Sequence, residues 1–524
     1  MGLSELNENL LRRAVIGDLV TRSALRFTTR TALVYAGNEI NFRTLNQKSC
    51  QAAQSFLKLG VKRGDRVAFM THNCLNYIYC RLGLAKIGAI PVPLNFMLRK
   101  NEIAYIIKDS QPKLFFVEDT LVGHVQEVKS DLKGISHYGW FDIGAGTKKP
   151  DGWIDSEEFF APDVPADDPQ VLVDSNDIAT IMYTTGTESF PKGVMTTHLN
   201  YFMSMFHLVC DCDFKRDDVM IIDIPLFHVA GTTLLMGAIT FGSRAIIEYA
   251  PDPVNILKKT AEHKVTMWVY PPTLYQVLPM MPDFETYDLS SLKKFVTFGS
   301  VLPPVIHERW KSINPNIQWR NYWGQTESSP VGTTSSPEVF EKKIASIGIP
   351  DTGVTVKVFD DHDKELAPGQ VGELVIRGPS VMKGYWKNDD LTAKTLKNGW
   401  LHTGDMGYVD EDGYIIFKDR KKDMIKSGGE NVSSQEVEGL LLKHPKVAQA
   451  AVIGMPDPHW TEAVTAFVVK RPNEEVTEQE IIAFAKESMA GYKVPKKVVF
   501  LNQLPMTPTG KILKREIRDE YQKK

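Results

Sequence analysis

The chain has 524 residues and a mass of 58.9 kDa, with 61 Lys+Arg against 64 Asp+Glu, 43% hydrophobic and 24% charged residues. This is an ordinary globular composition, which excludes disordered and fibrous architectures. At roughly 100–200 residues per domain the length allows several domains and a large core without covalent staples. A formal charge of −3 and a pI near 6.5 offer no field that would hold a polyanion, so no nucleic acid is expected and any phosphate must be gripped locally.

The N-terminus MGLSEL has Leu6 where a myristoylation signal needs Ser or Thr, and no apolar leader follows it. From residue 30 to about 117, short apolar runs such as RVAFM and KLFFV alternate with helix-like segments, the pattern of βα repeats of a parallel sheet. Residues 144–168 are rich in Gly, Pro, Lys and Asp and read as a connection. The alternation resumes with β-type runs at 178–183, 219–224, 244–249, 266–269 and 294–297, so two stacked α/β units are predicted. The longest apolar stretch, 229–241, holds three Thr and two Gly and is too short and too polar to span a bilayer.

After residue 346 the texture changes to alternating apolar and polar residues around Pro-Gly and Asp-Gly-type turns, which predicts a small antiparallel β-rich unit. The charged, glycine-bearing run from Lys418, KDRKKDMIKSGG, has the look of an exposed hinge, and a compact α+β tail follows. From residue 421 on there are 17 basic and 14 acidic residues, against 44 and 50 before it, so a mildly basic lid would face a mildly acidic body. The predicted fold is therefore α/β: a large N-terminal domain over 1–420, with two stacked βα subdomains and a small β-rich subdomain, then a small mobile α+β domain over 421–524.

The five cysteines, Cys50, Cys74, Cys80, Cys210 and Cys212, lack paired C-x-x-C spacing and read as free thiols in a reducing compartment, hence a soluble cytoplasmic protein. Cys210 and Cys212 with His207 lack the second ligand pair that a structural metal site needs. More informative is the segment IMYTTGTESFPKGV, a β run followed by hydroxyls, glycines and one lysine around a turn. Small residues let backbone N–H groups approach phosphate oxygens, hydroxyls add donors, and Lys192 adds a point charge. It is not the P-loop of G-x-x-x-x-G-K-[ST] type, because Lys192 precedes Gly193 and no hydroxyl follows to hold Mg²⁺.

This segment resembles the YTSGTTGxPKGV signature of the adenylate-forming superfamily, which includes acyl-CoA synthetases, luciferases and peptide-synthetase adenylation domains. NYWGQTE (321–327), GWLHTGD (399–405), KDRKKDMIKSGGENV (418–432) and PMTPTGKILKREIR (505–518) are similar to the superfamily's later signatures, in the same order. The resemblance covers essentially the whole chain and implies ATP, Mg²⁺ and coenzyme A as cofactors and co-substrates. It implies an acid–thiol ligase that first makes an acyl-adenylate and pyrophosphate from a small-molecule carboxylic acid and ATP, then lets CoA displace AMP.

By the same resemblance Thr184, Thr185, Gly186, Thr187 and Lys192 cradle the β- and γ-phosphates. Glu188 and Ser189 stand where many relatives carry Thr and Gly, and a carboxylate beside polyphosphate needs Mg²⁺ or Lys192 to compensate it. Thr326 is expected at the α-phosphate, Glu327 as the Mg²⁺ ligand, Trp323 as the adenine stack, and Gly299 and Ser300 along the adenine and acyl pocket. Asp405 would bind the ribose hydroxyls and Arg420 the ribose or a phosphate. Lys511 would neutralise the charge developing during adenylation, with Lys514 and Arg515 left as a solvated basic helix face. Lys422 falls at the hinge position, and rotation there would bring Lys426 to Glu430 to a pantetheine tunnel, with Gly428 and Gly429 permitting close approach of the ligand, while His228 would lie near the carboxylate or guard the thioester tunnel. Phe227, His228, Val229 and Ala230 replace the aspartate with which peptide-synthetase domains hold a substrate amine, which favours an uncharged fatty or aryl acid. Two alternatives remain: transfer to a carrier-protein pantetheine, and a catalytically silent nucleotide-binding protein. No fused carrier domain and no fatty-acyl-AMP-ligase insertion are seen, which favours free CoA, and nothing in the sequence excludes a homodimer.

Overall fold

The computed structural model describes residues 4–184, 191–507 and 511–521. Its first sheet has five parallel strands in the order Ile90–Leu94, Arg66–Met70, Leu114–Glu118, His137–Phe141, Ile154–Asp155. Leu114–Glu118 is buried at every position, as a strand covered on both faces requires. The edge strand reads IPVPL. Ile90 donates its N–H inward to the Asp65 carbonyl (2.7 Å), so the alternating Pro91 and Pro93 present their donor-free nitrogens to the outer edge. The next strand, Ile178–Thr184, packs against that edge and pairs instead with Lys192–Thr197, antiparallel. The alternation of apolar runs predicts it among the parallel strands, and the prolines account for the difference.

The second sheet has a parallel centre in the order Gln318–Trp323, Lys294–Phe298, Met267–Tyr270, Val219–Ile222, Arg244–Ile247, Thr31–Tyr35. Thr31–Tyr35, predicted to belong with the first unit, lies here, with Leu33 opposite Ala245. Local periodicity finds a strand but not its partner. The β-rich unit is not detached either. Thr333–Thr334 and Ser346–Pro350 carry the ladder antiparallel from Gln318–Trp323 into Ile415–Arg420, Trp400–Val409, Gly372–Arg377 and Thr355–Phe359. The apolar stretch becomes the helix Val229–Phe241, buried on nearly every side against the second sheet and the helices Ile16–Phe27 and His198–Cys210, and no helix among the described residues is long and apolar enough to cross a membrane.

That ladder ends where Arg420 pairs with Asp405, and the next strand, Ile425–Ser427, belongs to a different sheet. There Val447–Asp457 and Thr461–Lys470 form a long hairpin, with Lys497–Phe500 parallel to its second strand. The helices Ser434–Leu441 and Glu478–Ser488 cover one face, closing a separate core around Val437, Leu441, Val452, Val464 and Ile481. Asp419 ties the two parts together: its Oδ2 accepts from both the N–H and the hydroxyl of Ser434, each at 2.6 Å.

Candidate active site

Just past the carboxyl end of Gln318–Trp323, at the end of the sheet where open α/β folds place their ligands, residues 326–328 contact the strand Lys192–Thr197, the partner of Ile178–Thr184. Thr184 lies directly opposite Lys192, so the signature segment leaves and re-enters the same antiparallel ladder. Thr185, Gly186, Thr187, Glu188 and Ser189 lie outside the described residues. The Lys192 ammonium is 5.9 Å from the centre of the Tyr385 ring.

Strand Gln318–Trp323 delivers the next group. A one-turn 3₁₀ helix, Thr326–Ser328, follows it and leaves Thr326 and Glu327 half-buried. The Glu327 carbonyl accepts from the Met382 N–H (2.8 Å) and its Oε1 from the Tyr385 hydroxyl (2.9 Å), while Oε2 has no hydrogen bond among the described residues. Trp323 differs from an open stacking platform: it is 9% exposed, packed with Ile347, Val356, Leu374 and Leu401, and its indole N–H donates to Asp405 Oδ2 (2.9 Å). The Gln325 amide donates to the same oxygen (3.0 Å) and to the Thr403 carbonyl. Asp405 Oδ1 is buried without a hydrogen-bond partner and faces the Arg420 guanidinium at 3.3 Å, which holds that arginine above its ordinary pKa. The arginine is thus the one group facing this oxygen among the described residues, and a buried carboxylate oxygen held by an ion pair without a hydrogen bond keeps unused acceptor capacity.

Lys511 comes to the same place from the C-terminal part. The residue is exposed as a whole, and its ammonium is held down to about pKa 7 by the Arg420 guanidinium first, then by burial and Lys422, with Asp405 opposing. Lys514 is not the solvated helix face predicted for it. It pairs with Glu438 at 2.7 Å, both side chains 14% exposed, and so belongs to the small domain's interior, whereas Arg515 is an exposed partner of Asp519. Lys422, depressed by burial and by Arg420, sits in the turn after Arg420.

His228 caps the helix Val229–Phe241, its Nδ1 accepting from the Ala230 N–H (3.2 Å), so Nε2 carries the proton of the neutral ring. Burial and then Lys511 press its pKa down to about 4. Gly299, at φ +85° with open space where a Cβ would be, and Ser300 form an exposed lip at the end of Lys294–Phe298. Gly428 and Gly429 are the hairpin turn between Ile425–Ser427 and Glu430–Val432, where φ of +61° and +87° and the Trp460 ring 3.0 Å from a Gly428 Cβ require glycine. The structure thus brings together Lys192, Glu327, Asp405, Arg420, Lys422 and Lys511, with His228 within electrostatic reach of Lys511. It adds Gln325 and Tyr385, which the motifs did not single out. Gln325 stood inside WGQTE without a role, and Tyr385 stands in GYWKN, with only an aromatic after glycine to mark it.

His207, weighed with Cys210 and Cys212 as a ligand set, is instead a buried hub. Its Nδ1 meets Asp211 (3.2 Å) and Asp351 (3.3 Å) and its Nε2 meets Cys212 (3.5 Å), while Cys210 is exposed. Both ring nitrogens have protein partners, so hydrogen bonding explains the cluster.

The AMP-binding enzyme family profile matches residues 20–386, and the AMP-binding enzyme C-terminal domain profile matches 436–511. A feruloyl-CoA synthase of Amycolatopsis sp is 32% identical over 98% of this chain and 100% of its own. A long-chain-fatty-acid–CoA ligase of Bacillus subtilis (strain 168) is 33% identical over 97% and 95%. Among solved structures, an anthranilate CoA ligase in complex with anthranoyl-AMP superposes with a TM-score of 0.91 at 27% identity, over 97% of each chain. With that coverage, and with the signature residues converging on one cleft, the chain belongs to the AMP-binding enzyme family and, within it, to the acyl-CoA synthetases, the AMP-forming ligases of a carboxylic acid with CoA.

Proposed function

We propose that the cleft between Glu327, Asp405, Arg420 and Lys511 activates an uncharged fatty or aryl acid in two steps, with each of these side chains in a distinct role. The reading is carried by Asp405: a buried carboxylate whose Oδ2 is fixed by Trp323 and Gln325, and whose Oδ1 meets the Arg420 guanidinium at 3.3 Å without a hydrogen bond, keeps acceptor capacity that suits a pair of ribose hydroxyls. Trp323 then acts mainly by holding Asp405, and offers adenine only the small face it leaves open.

In the first step a substrate carboxylate oxygen bonds to the α-phosphorus of ATP and the bond to pyrophosphate breaks. Negative charge grows on the α-phosphate, and Lys511 and Arg420, already in the cleft, meet it without reorganising. In this reading Thr326 donates to the α-phosphate. Thr184, Thr185, Gly186, Thr187 and Lys192 take the leaving phosphates. Glu327, with Oε2 open, has the hard oxygen that Mg²⁺ prefers, and Mg²⁺ when bound supplies charge neutralisation to the polyphosphate. Gly299 and Ser300 line the entry to the acyl pocket, whose neutral wall of Phe227, His228, Val229 and Ala230 suits an acid without an amine.

In the second step the CoA thiolate bonds to the acyl carbon and AMP leaves. We take 1–420 and 421–524 as the two moving units, with Lys422 as the hinge, so that Lys511 withdraws and the Gly428–Gly429 turn replaces it next to His228. The test is carboxylate-dependent ATP–pyrophosphate exchange across short, long, aryl and amino acids, followed by CoA-dependent AMP release. Exchange with an uncharged acid and CoA-stimulated turnover are expected. Exchange with amino acids alone would overturn the substrate reading, and exchange without a CoA response would move the acceptor to a carrier protein.

A further inference from the structure

None of the signature motifs contains Tyr385, yet it touches two of the groups they supply. Its hydroxyl donates to Glu327 Oε1 at 2.9 Å and its ring faces the Lys192 ammonium at 5.9 Å. It is 6% exposed and well anchored. Gly384 and Tyr385 pair with Met195 and Val194 in the signature ladder, the Tyr385 N–H donates to Thr392 Oγ1 (2.9 Å), and the Trp386 N–H donates to the Gly193 carbonyl (2.7 Å). The same segment grips the main chain of Glu327 through the Met382 N–H, and Asn200 fixes it from below by donating to the Pro379 and Val381 carbonyls.

We propose that Tyr385 is a positioning residue for adenylation, setting the Glu327 carboxylate and the Lys192 ammonium against each other through one side chain. The proposal rests on the roles given above to Glu327 and Lys192. A glutamate side chain has three rotors and, half-buried, would otherwise be free to swing toward Arg420. An O–H donating to one carboxylate oxygen, here at 2.9 Å, restrains that oxygen and leaves the other free of it. Groups that orient a ligating carboxylate in this way change metal affinity without touching the metal. The ring face supplies the second function: its negative quadrupole holds the ammonium beside the strand that carries it, at a fixed distance from Glu327.

The two functions separate by mutation in the full chain. Tyr385→Phe removes the hydroxyl and keeps the ring; Tyr385→Leu removes both. Mn²⁺ binding in the presence of ATP, followed by electron paramagnetic resonance, reads the carboxylate, and metal-free ATP binding reads the lysine. Tyr385→Phe is expected to weaken Mn²⁺ about tenfold, the low end for such orienting groups, to raise the Mg²⁺ concentration for half-maximal pyrophosphate exchange in parallel, and to leave metal-free ATP binding unchanged. Tyr385→Leu should add a several-fold loss of ATP binding. A fall in melting temperature with wild-type Mn²⁺ affinity in both variants would make Tyr385 purely structural and overturn the proposal. Glu327→Gln separates this from failure of the underlying reading: wild-type Mn²⁺ affinity in that variant would remove Glu327 as the ligand, whereas its loss there, with none in Tyr385→Phe, would remove Tyr385 alone. In the double variant Tyr385→Phe with Glu327→Gln, the loss should equal that of Glu327→Gln, and additive losses would show the two acting apart.

Discussion

The strands of the second sheet behave in opposite ways along their length. Beneath the sheet, Trp268 stacks on Phe295 with ring centres 5.0 Å apart and Trp310 stands edge-on to both. Every polar atom of these side chains is engaged: Trp268 Nε1 with Thr260, Trp310 Nε1 with the Tyr275 carbonyl, and the Tyr275 hydroxyl within reach of two carbonyls. At the carboxyl ends of the same sheet and its extension, Asp405 Oδ1 meets the Arg420 guanidinium but makes no hydrogen bond among the described residues, Glu327 Oε2 makes none among them either, and Lys511 is crowded by Arg420. One region has closed its polar groups and stores stability; the other has left them open, at a cost a bound nucleotide can return.

The sharpest way to break this contrast is to cut into each region and ask which property falls. Trp268→Ala should lower the free energy of unfolding by about 3–5 kcal/mol, the usual cost of hollowing an aromatic core, while exchange per folded molecule stays near wild type in the cold. A denaturation midpoint unchanged by that substitution would mean the aromatic layer is not the stabilising half. Lys511→Ala should do the reverse: adenylation slows about 10²–10³-fold, equivalent to about 3–4 kcal/mol of barrier, with the melting temperature unmoved. Removing a lysine from a crowd of cations can even stabilise the ligand-free fold.

Lys514→Ala sharpens the comparison within three residues. Lys514 holds Glu438, so its loss leaves a largely buried carboxylate unpaired and should cost about 2–3 kcal/mol of stability, less than for a fully buried pair, with adenylation by the folded fraction preserved. Urea melts of the two lysine variants, run with exchange assays, test the division of labour. An activity loss in Lys514→Ala matching that of Lys511→Ala would erase it.

How much of this was readable beforehand follows the same division. Apolar runs announced seven strands, since burial on both faces leaves a continuous signature in one stretch of chain, and 229–241 became a helix with those bounds. The destination of Thr31–Tyr35 was not readable, because its partner Arg244–Ile247 lies two hundred residues on and pairing leaves no local trace. Motif order pointed to Glu327, Asp405, Arg420 and Lys511, and those groups do converge. The motif could not say that Trp323 packs inward, nor that Lys514 turns away from Lys511, since side-chain direction is set by the small domain's own core. Tyr385 and Asp351 were invisible for a related reason: each acts on a residue distant in sequence, and only the fold supplies that neighbour.

The smallest expected effect is also the most diagnostic of the open region. With Lys511 held near pKa 7 against an ordinary 10.5, its ammonium is charged below that pH and loses its proton as pH rises through it. Because kcat/KM for ATP reports groups of the free enzyme, it should fall as pH rises from 6.5 to 8.5, by up to about tenfold per unit once past the pKa. His228, pressed down to about 4, stays neutral throughout and contributes no limb in that window. Lys511→Arg should flatten the profile whatever its absolute rate, since a guanidinium keeps its charge. Arg420→Gln should move the wild-type limb upward, because the first cause of the depression is gone, even as ATP binding weakens. A wild-type profile flat to pH 9 would mean that Lys511 does not feel Arg420, and the cleft would then lack the electrostatic tension that sets it apart from the core.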